Sequence, residues 1–259
     1  MRKLQFPYLL MIFILIPLLL VACNGEEENI APGGVAEFEE EEAPPPVVEA
    51  PPQEEGPIDV SAFRTGDVVF FTDFDDKADE ADWSLMSFPS SSYNYEAYID
   101  EYSNMVFDIT DTEVDVLALY DTDILFFPRD SADVYVEATA YNVGGNNLNY
   151  ISVICRFSDD GFYMFSLMSG AKWYMWKYTF GKDWRKLLEG GVQNFDYDAE
   201  HTIGGKCEGD QLTLYVDGVA QAKATYKETT FRDGGVGLGV SSMGRETEVE
   251  VLDFTVSIP

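Results

Sequence analysis

Between Asn149 and Leu188 the chain alternates β-branched and aromatic residues with tight Asp/Gly punctuation. Tyr150 to Phe157 makes one such run, Phe162 to Leu167 a second and Lys172 to Tyr178 a third. Asp159-Asp160-Gly161 and Ser169-Gly170 separate them, and Gly181-Lys182-Asp183 leads into Trp184 to Leu188. Runs of this length, joined by two or three turn residues, predict antiparallel strands in a meander, because a parallel pairing would need a crossover of a dozen residues or more. A meander cannot bury both of its faces alone, so the remaining chain has to complete a sheet and supply a second layer.

The flanking sequence offers more strands. Val68 to Phe74, Tyr95 to Ile99, Asn104 to Ile109, Val114 to Leu119 and Asp133 to Tyr141 precede the meander, while Trp83 follows a polar loop. After it come Glu200 to Cys207 and Gln211 to Val216, with Leu212, Leu214 and Val216 sharing one face. Asp217-Gly218 predicts a two-residue hairpin turn into Val219 to Thr225, and Gly235 to Val240 and Glu248 to Ile258 finish the pattern. No segment carries a convincing 3.6-residue period. The fold class read from this is all-β, one domain from residue 58 to 259, closed or built from two sheets.

Composition limits what such a domain does. Lys and Arg total 16 against 47 Asp and Glu, a formal net charge of −31. A polyanion would be repelled rather than gain affinity by counterion release, so nucleic acid is excluded as a partner. Eleven of the glutamates fall between residues 26 and 57, where there is no Lys or Arg. That stretch, with Pro44 to Pro46 and Glu39 to Glu42, has little to bury; residues 23–57 are expected to form an extended acidic tether. Ahead of it, Arg2 and Lys3 precede an apolar run interrupted by Pro17, too short for a comfortable membrane span. Residues 1–22 therefore predict a secretory signal. Its end, Leu20-Val21-Ala22-Cys23, closely resembles the bacterial lipobox, which implies acylation of Cys23 and attachment at the extracytoplasmic face of a membrane.

The order Cys-Arg-Phe, turn, Phe-Tyr-Met-Phe-Ser-Leu, Trp-Tyr-Met-Trp-Lys, then Lys-Cys-Glu-Gly-Asp-Gln-Leu-Thr-Leu-Tyr-Val-Asp-Gly and Val-Leu-Asp-Phe resembles the concanavalin A-like, laminin-G-type domain. A similar pattern occurs in the 3-keto-disaccharide hydrolase-type domain of bacterial lipoproteins. The resemblance spans Val68 to Ile258 and implies a two-sheet antiparallel jelly-roll sandwich with its first and last strands adjacent. It implies that Trp173 and Met175 face inward. It implies no single function, since the scaffold serves lectins, glycosidases and adhesion modules. Related domains hold a structural calcium near the first and last strands, which would fall to Asp73, Asp75, Asp76 and Asp253; solvated turn aspartates are the simpler reading, and the expectation is no metal and no other cofactor. Laminarinase-type members carry Glu-x-Asp-x-x-Glu on one strand. Here Glu113-Val-Asp115-Val-Leu-Ala118 ends in alanine, and Glu248, Glu250 and Asp253 lie on the last strand with glutamate in the middle, so neither completes the motif.

Two cysteines remain after Cys23. Cys155 and Cys207 are the expected disulfide of an exported domain. His201 is the only histidine and is read as a surface residue on an edge strand rather than a base. Strand alternation groups Tyr174, Trp176 and Tyr178 on one face with Trp184 near them, an exposed aromatic ladder suited to the apolar faces of sugar rings, or else one covered by the amino-terminal strands. The expected partner is a carbohydrate or glycoprotein bound without catalysis by a monomer. Glycan cleavage and an envelope scaffold role are the alternatives.

Overall fold

The computed structural model describes residues 57–259 except 90–92 and 145–147, and not the side chains of 78, 79, 143 and 144. The signal-like leader, Cys23 and the acidic segment lie outside the described residues. Three short 3-10 turns interrupt an otherwise all-strand structure. In chain order the strands are β1 (Val68–Thr72), β2 (Trp83–Phe88), β3 (Tyr95–Ile99), β4 (Met105–Ile109) and β5 (Val114–Tyr120). These are followed by β6 (Val134–Gly144), β7 (Tyr150–Ser158), β8 (Gly161–Met168), β9 (Lys172–Thr179) and β10 (Arg185–Gly191). The last five are β11 (His201–Glu208), β12 (Gln211–Val216), β13 (Val219–Lys227), β14 (Gly235–Ser242) and β15 (Thr247–Ser257).

Two antiparallel sheets stack as the expected sandwich. One runs β13-β12-β11-β6-β15-β4-β3, with β1 also paired to β15; the other runs β10-β9-β8-β7-β14-β5-β2. The meander is continuous through β7, β8, β9 and β10, and first and last strands are adjacent, Phe71 opposite Thr255. Sequence reading missed β2, whose Trp83, Ser84, Leu85 and Met86 show no clean alternation; pairing with β5 along its whole length defines it instead. Asp217 and Gly218 take positive φ of 51° and 72°, as a two-residue hairpin turn requires.

Alternation sets the core. Leu212, Leu214 and Val216 point inward from β12 and meet Phe165, Trp173 and Met175 of the facing sheet in one apolar cluster. Gly205 of β11 lies directly under the Phe165 ring, where a Cβ would collide with it. Cys155 of β7 and Cys207 of β11 form a disulfide that ties the two sheets together, with Cα atoms 6.7 Å apart and both residues fully buried. Closing a loop with a separation of 52 residues contributes about 4 kcal/mol on the chain-entropy account.

The next residue, Arg156, was not singled out by its sequence context and is 1 % exposed. It sits at a bulge with φ 55°, and its guanidinium donates to the carbonyls of Phe231 (3.3 Å) and Gly209 (3.1 Å) and pairs with Asp133 (3.6 Å). Burial lowers its pKa from the usual arginine value, yet these acceptors satisfy a charge that would be costly if unpaired. Opposite it, the Tyr163 hydroxyl accepts from Phe231 N (2.8 Å), and Lys177 binds Glu228 (3.0 Å) and Thr230 (2.8 Å). The chain from Glu228 to Gly234 is thereby locked over the sheet edge.

Candidate functional site

The outer face of the seven-stranded sheet, turned away from the main core, carries the arrangement with most chemical content. Register places Asp115 of β5 opposite Ser241 of β14, and Ser241 opposite Tyr150 of β7, so a carboxyl, a hydroxyl and a phenol form one row across three strands. The Ser241 hydroxyl donates to Asp115 Oδ1. Burial pushes the Asp115 carboxyl above the usual carboxylate range, and the Ser241 bond partly opposes it. Burial also raises the Tyr150 phenol, which lies edge-on to Tyr174 at 5.4 Å. In the adjoining row Gly239 stands between Leu117 and Ser152; a Cβ there would press on the Leu117 side chain, so glycine keeps the floor low.

Aromatic residues wall this floor. Tyr174, Trp176 and Tyr178 of β9 do share the outer face, and Trp173 and Met175 face the core. Tyr174, however, is 8 % exposed rather than part of an open ladder, and Trp176, Tyr178 and Trp184 are half-buried. The reason is a second apolar cluster on this face, which includes Leu117, Leu119, Ile154, Phe162 and Met164. Phe88 from β2 and Trp184 from the β9–β10 connection fold over it. Tyr178 lies 4.6 Å from Phe88 and 4.8 Å from Trp184, while Tyr174 and Trp176 stack at 5.5 Å. The Lys186 ammonium rests 5.6 Å above the Tyr174 ring and pairs with Glu189 at 2.6 Å. A groove of about 210 Å³ remains, lined by Trp176 and Trp184, which pack edge-on at 6.4 Å, by Met164, Ser166 and Met243, and by the Asp115–Ser241–Tyr150 row. A second cavity of about 280 Å³ adjoins it, lined by Glu113, Lys182, Asp183 and Tyr178, and again by Asp115 and Trp184.

The carboxylates considered from sequence separate in space. Asp115 is in the groove and Glu113 at its margin, but Ala118 faces the core, and β5 pairs with β14 and β2 without a bulge. Leu117 and Leu119 therefore occupy the outer positions where that strand would carry a second acid. Glu248, Glu250 and Asp253 lie on β15, in the other sheet; Asp253 Oδ1 accepts from Thr139 N (3.3 Å). Asp73 Oδ1 accepts from Asp75 N at 3.4 Å. Among the described residues no group of three or more His, Cys, Asp or Glu is placed to hold a metal ion.

His201 differs from expectation. It begins β11, an interior strand between β6 and β12, because β13 rather than β11 closes that edge. Its ring stacks on Phe195 at 4.0 Å, with Nδ1 3.0 Å from the Asp217 carboxylate and Nε2 2.7 Å from the Asp196 carbonyl. Both ring nitrogens are thus engaged by groups of the protein itself. The histidine fastens the chain ahead of β11 to the Asp217 turn. It lines a narrow cleft at one end of the sandwich with Tyr141, Tyr150 and Tyr197.

Residues of the groove that sequence reading did not identify are Tyr150, Ser166, Ser241 and Met243. For Tyr150, Ser166 and Ser241 the only local signal is a polar group at an outward position of an otherwise apolar strand; Met243, just past the end of β14, has none.

No protein-family model and no curated protein sequence matches the chain. Solved structures do. The carbohydrate-binding module CBM66 from Bacillus subtilis superposes with a TM-score of 0.51 at 13% identity, covering 68% of this chain and 95% of that one. A Bacillus subtilis protein of unknown function with a galectin-like fold gives 0.57 at 10% identity, covering 75% and 97%. The catalytic domain of an endo-1,3-beta-glucanase (laminarinase) from Thermotoga petrophila RKU-1 gives 0.52 at 11% identity, covering 73% and 96%. At these identities the likeness is one of fold: the chain has the concanavalin A-like jelly-roll architecture shared by carbohydrate-binding modules and glycoside hydrolase domains.

Proposed function

We propose that the protein is a glycan-binding module, held by acyl chains on Cys23 at the extracytoplasmic face of a membrane and extended from it on its acidic tether. Saccharide would bind in the groove on the outer face of the seven-stranded sheet. One observation carries this reading: Asp115, Ser241 and Tyr150 line the same groove as Trp176 and Trp184, so acceptors and donors for sugar hydroxyls share a cavity with indole rings that suit the apolar side of a pyranose. The fold shared with CBM66 and the galectin-like protein supports it.

A glycan array paired with intrinsic tryptophan fluorescence tests the site. Saccharides are expected to change the emission at millimolar concentration or below, and Trp176→Ala should abolish the response. Silence across the array, or a response that Trp176→Ala leaves intact, refutes it. For the anchor, mass spectrometry of the mature amino terminus should find acyl chains on Cys23, and Cys23→Ser should release the protein from membranes. An unmodified thiol removes that half of the proposal.

One observation favours glycan cleavage as a second reading. Glu113, Asp115 and Asp183 line one cavity, and burial raises the Asp115 carboxyl toward the range of a general acid. Reducing-end release that disappears in Asp115→Asn would select this reading, which includes chemistry of the 3-keto-disaccharide hydrolase type. Binding without any product over days would select the module.

A further inference from the structure

The groove is double, and its two halves share their central residues. The 210 Å³ cavity over the Ser241–Tyr150 side and the 280 Å³ cavity over the Glu113–Tyr178 side are both lined by Asp115 and by Trp184. Ligand sites usually occupy roughly 300–1,000 Å³; each half falls below that range and the two together fall within it. Trp184 is held in place as the partition, since its ring packs at 4.8 Å on Tyr178 and 5.6 Å on Phe162. Swinging it aside would open the second apolar cluster. A ligand that fills both halves thus places one ring on each side of a fixed indole, with Asp115 between them. Ser241 occupies only one of roughly four acceptor positions on that carboxyl, leaving others for hydroxyls from either side.

Charge restricts the ligand further. Glu113, Asp115 and Asp183 face the groove against a single ammonium, Lys182. The chain is strongly anionic even without the eleven glutamates of residues 26–57, its remainder carrying a formal net charge of −20. An acidic sugar would bring like charge next to a partly desolvated carboxyl, where repulsion is screened least.

Resting on the glycan reading above, we infer that the ligand is a neutral oligosaccharide of at least two units bound across Trp184, and that Asp115 selects it against uronate, sialylated and sulfated chains.

The test titrates the mature protein with neutral gluco-, xylo-, manno- and fructo-oligosaccharides of one to four units, and with di- and tetragalacturonate, following tryptophan fluorescence and calorimetry. For the responding neutral series, the disaccharide should bind at least ~10-fold tighter than the monosaccharide, with less than ~3-fold gained from three units to four. Galacturonates should bind at least ~10-fold more weakly than that disaccharide. Asp115→Asn should weaken neutral binding by ~10-fold or more, the loss expected for hydrogen bonds to a charged group, and should narrow the gap to galacturonate. A monosaccharide as tight as its dimer overturns the two-unit inference, and galacturonate equal to the neutral dimer overturns the charge selection; in both cases sugar binding itself stands. Silence of every saccharide, with the circular dichroism of a folded sandwich, overturns both this inference and the glycan reading.

Discussion

Replacing Glu228 with glutamine should make the protein less stable at neutral pH by an amount that vanishes in acid. Burial alone would raise the Glu228 carboxyl, but hydrogen bonds from the Thr230 hydroxyl, the Lys177 ammonium and the amides of Thr229 and Thr230 outweigh it and hold it down to about 2, against 4.5 for a free glutamate. Holding a carboxyl one pH unit lower in the folded than in the unfolded protein is worth about 1.4 kcal/mol, which would make about 3 kcal/mol here; screening by solvent on the open side of the group reduces this to about 1 to 2 kcal/mol. Because the folded value is depressed, the contribution is complete above the unfolded pKa and is lost as pH falls from about 4.5 to about 2. Glutamine does not titrate and keeps one acceptor, so the difference between the two proteins isolates this group from the other carboxylates. Urea unfolding at half-unit steps from pH 7 to pH 2 measures it. The gap should be flat to about pH 5 and then close progressively as pH falls from about 4.5 to about 2. At neutral pH the melting temperature should fall by about 2 to 8 °C, using 2 to 4 °C per kcal/mol for a domain of this size. A gap that is constant across the whole range would show that Glu228 acts through shape and not charge, and would refute the reasoning.

Asp115 should show the opposite sign. Its folded pKa is raised, so its charged form destabilises the fold, and stability attributable to it grows as pH falls through that raised value. Asp115→Asn should therefore leave the melting temperature at pH 7 unchanged or higher while neutral sugar binding weakens by ~10-fold or more; a clear drop in melting temperature would show that the carboxylate is structural. Trp184→Ala removes a half-buried ring packed on Tyr178 and Phe162, and should cost about 2 kcal/mol in chemical denaturation, below the 3 to 5 of a fully buried tryptophan. Removing the Cys155–Cys207 link by paired serine substitutions should cost about 4 kcal/mol, and a loss under about 1 kcal/mol would speak against its closing the fold. Gly205→Ala drives a methyl into the Phe165 ring and should destabilise by about 1 to 3 kcal/mol in thermal melts.

Strand positions in the meander were legible because a two-residue period and short Asp/Gly turns are local properties, written within ten residues of each other. The Asp217-Gly218 hairpin and the even pair Cys155 and Cys207 were legible for similar reasons: positive φ favours those turn residues, and two cysteines left over once Cys23 is set aside read as a pair. Alternation also grouped Tyr174, Trp176 and Tyr178 on one face. It did not say that Phe88, 90 residues before Tyr178, would lie 4.6 Å from it and that Trp184 would close over the same cluster.

The groove depended entirely on non-local pairing. Asp115 and Ser241 are 126 residues apart and become neighbours only because β14 inserts between β5 and β7. A shift of one residue in that register would turn Ser241 into the core and replace it on the outer face by Val240 or Ser242, according to direction. The sequence alone determined most of the strands, β2 excepted, and which thiols are paired, since periodicity, turn chemistry and a cysteine count are written in the chain itself. Only the tertiary structure decided which side chains meet, because the order of strands in a sheet and the packing over its outer face are settled by burial across the whole domain.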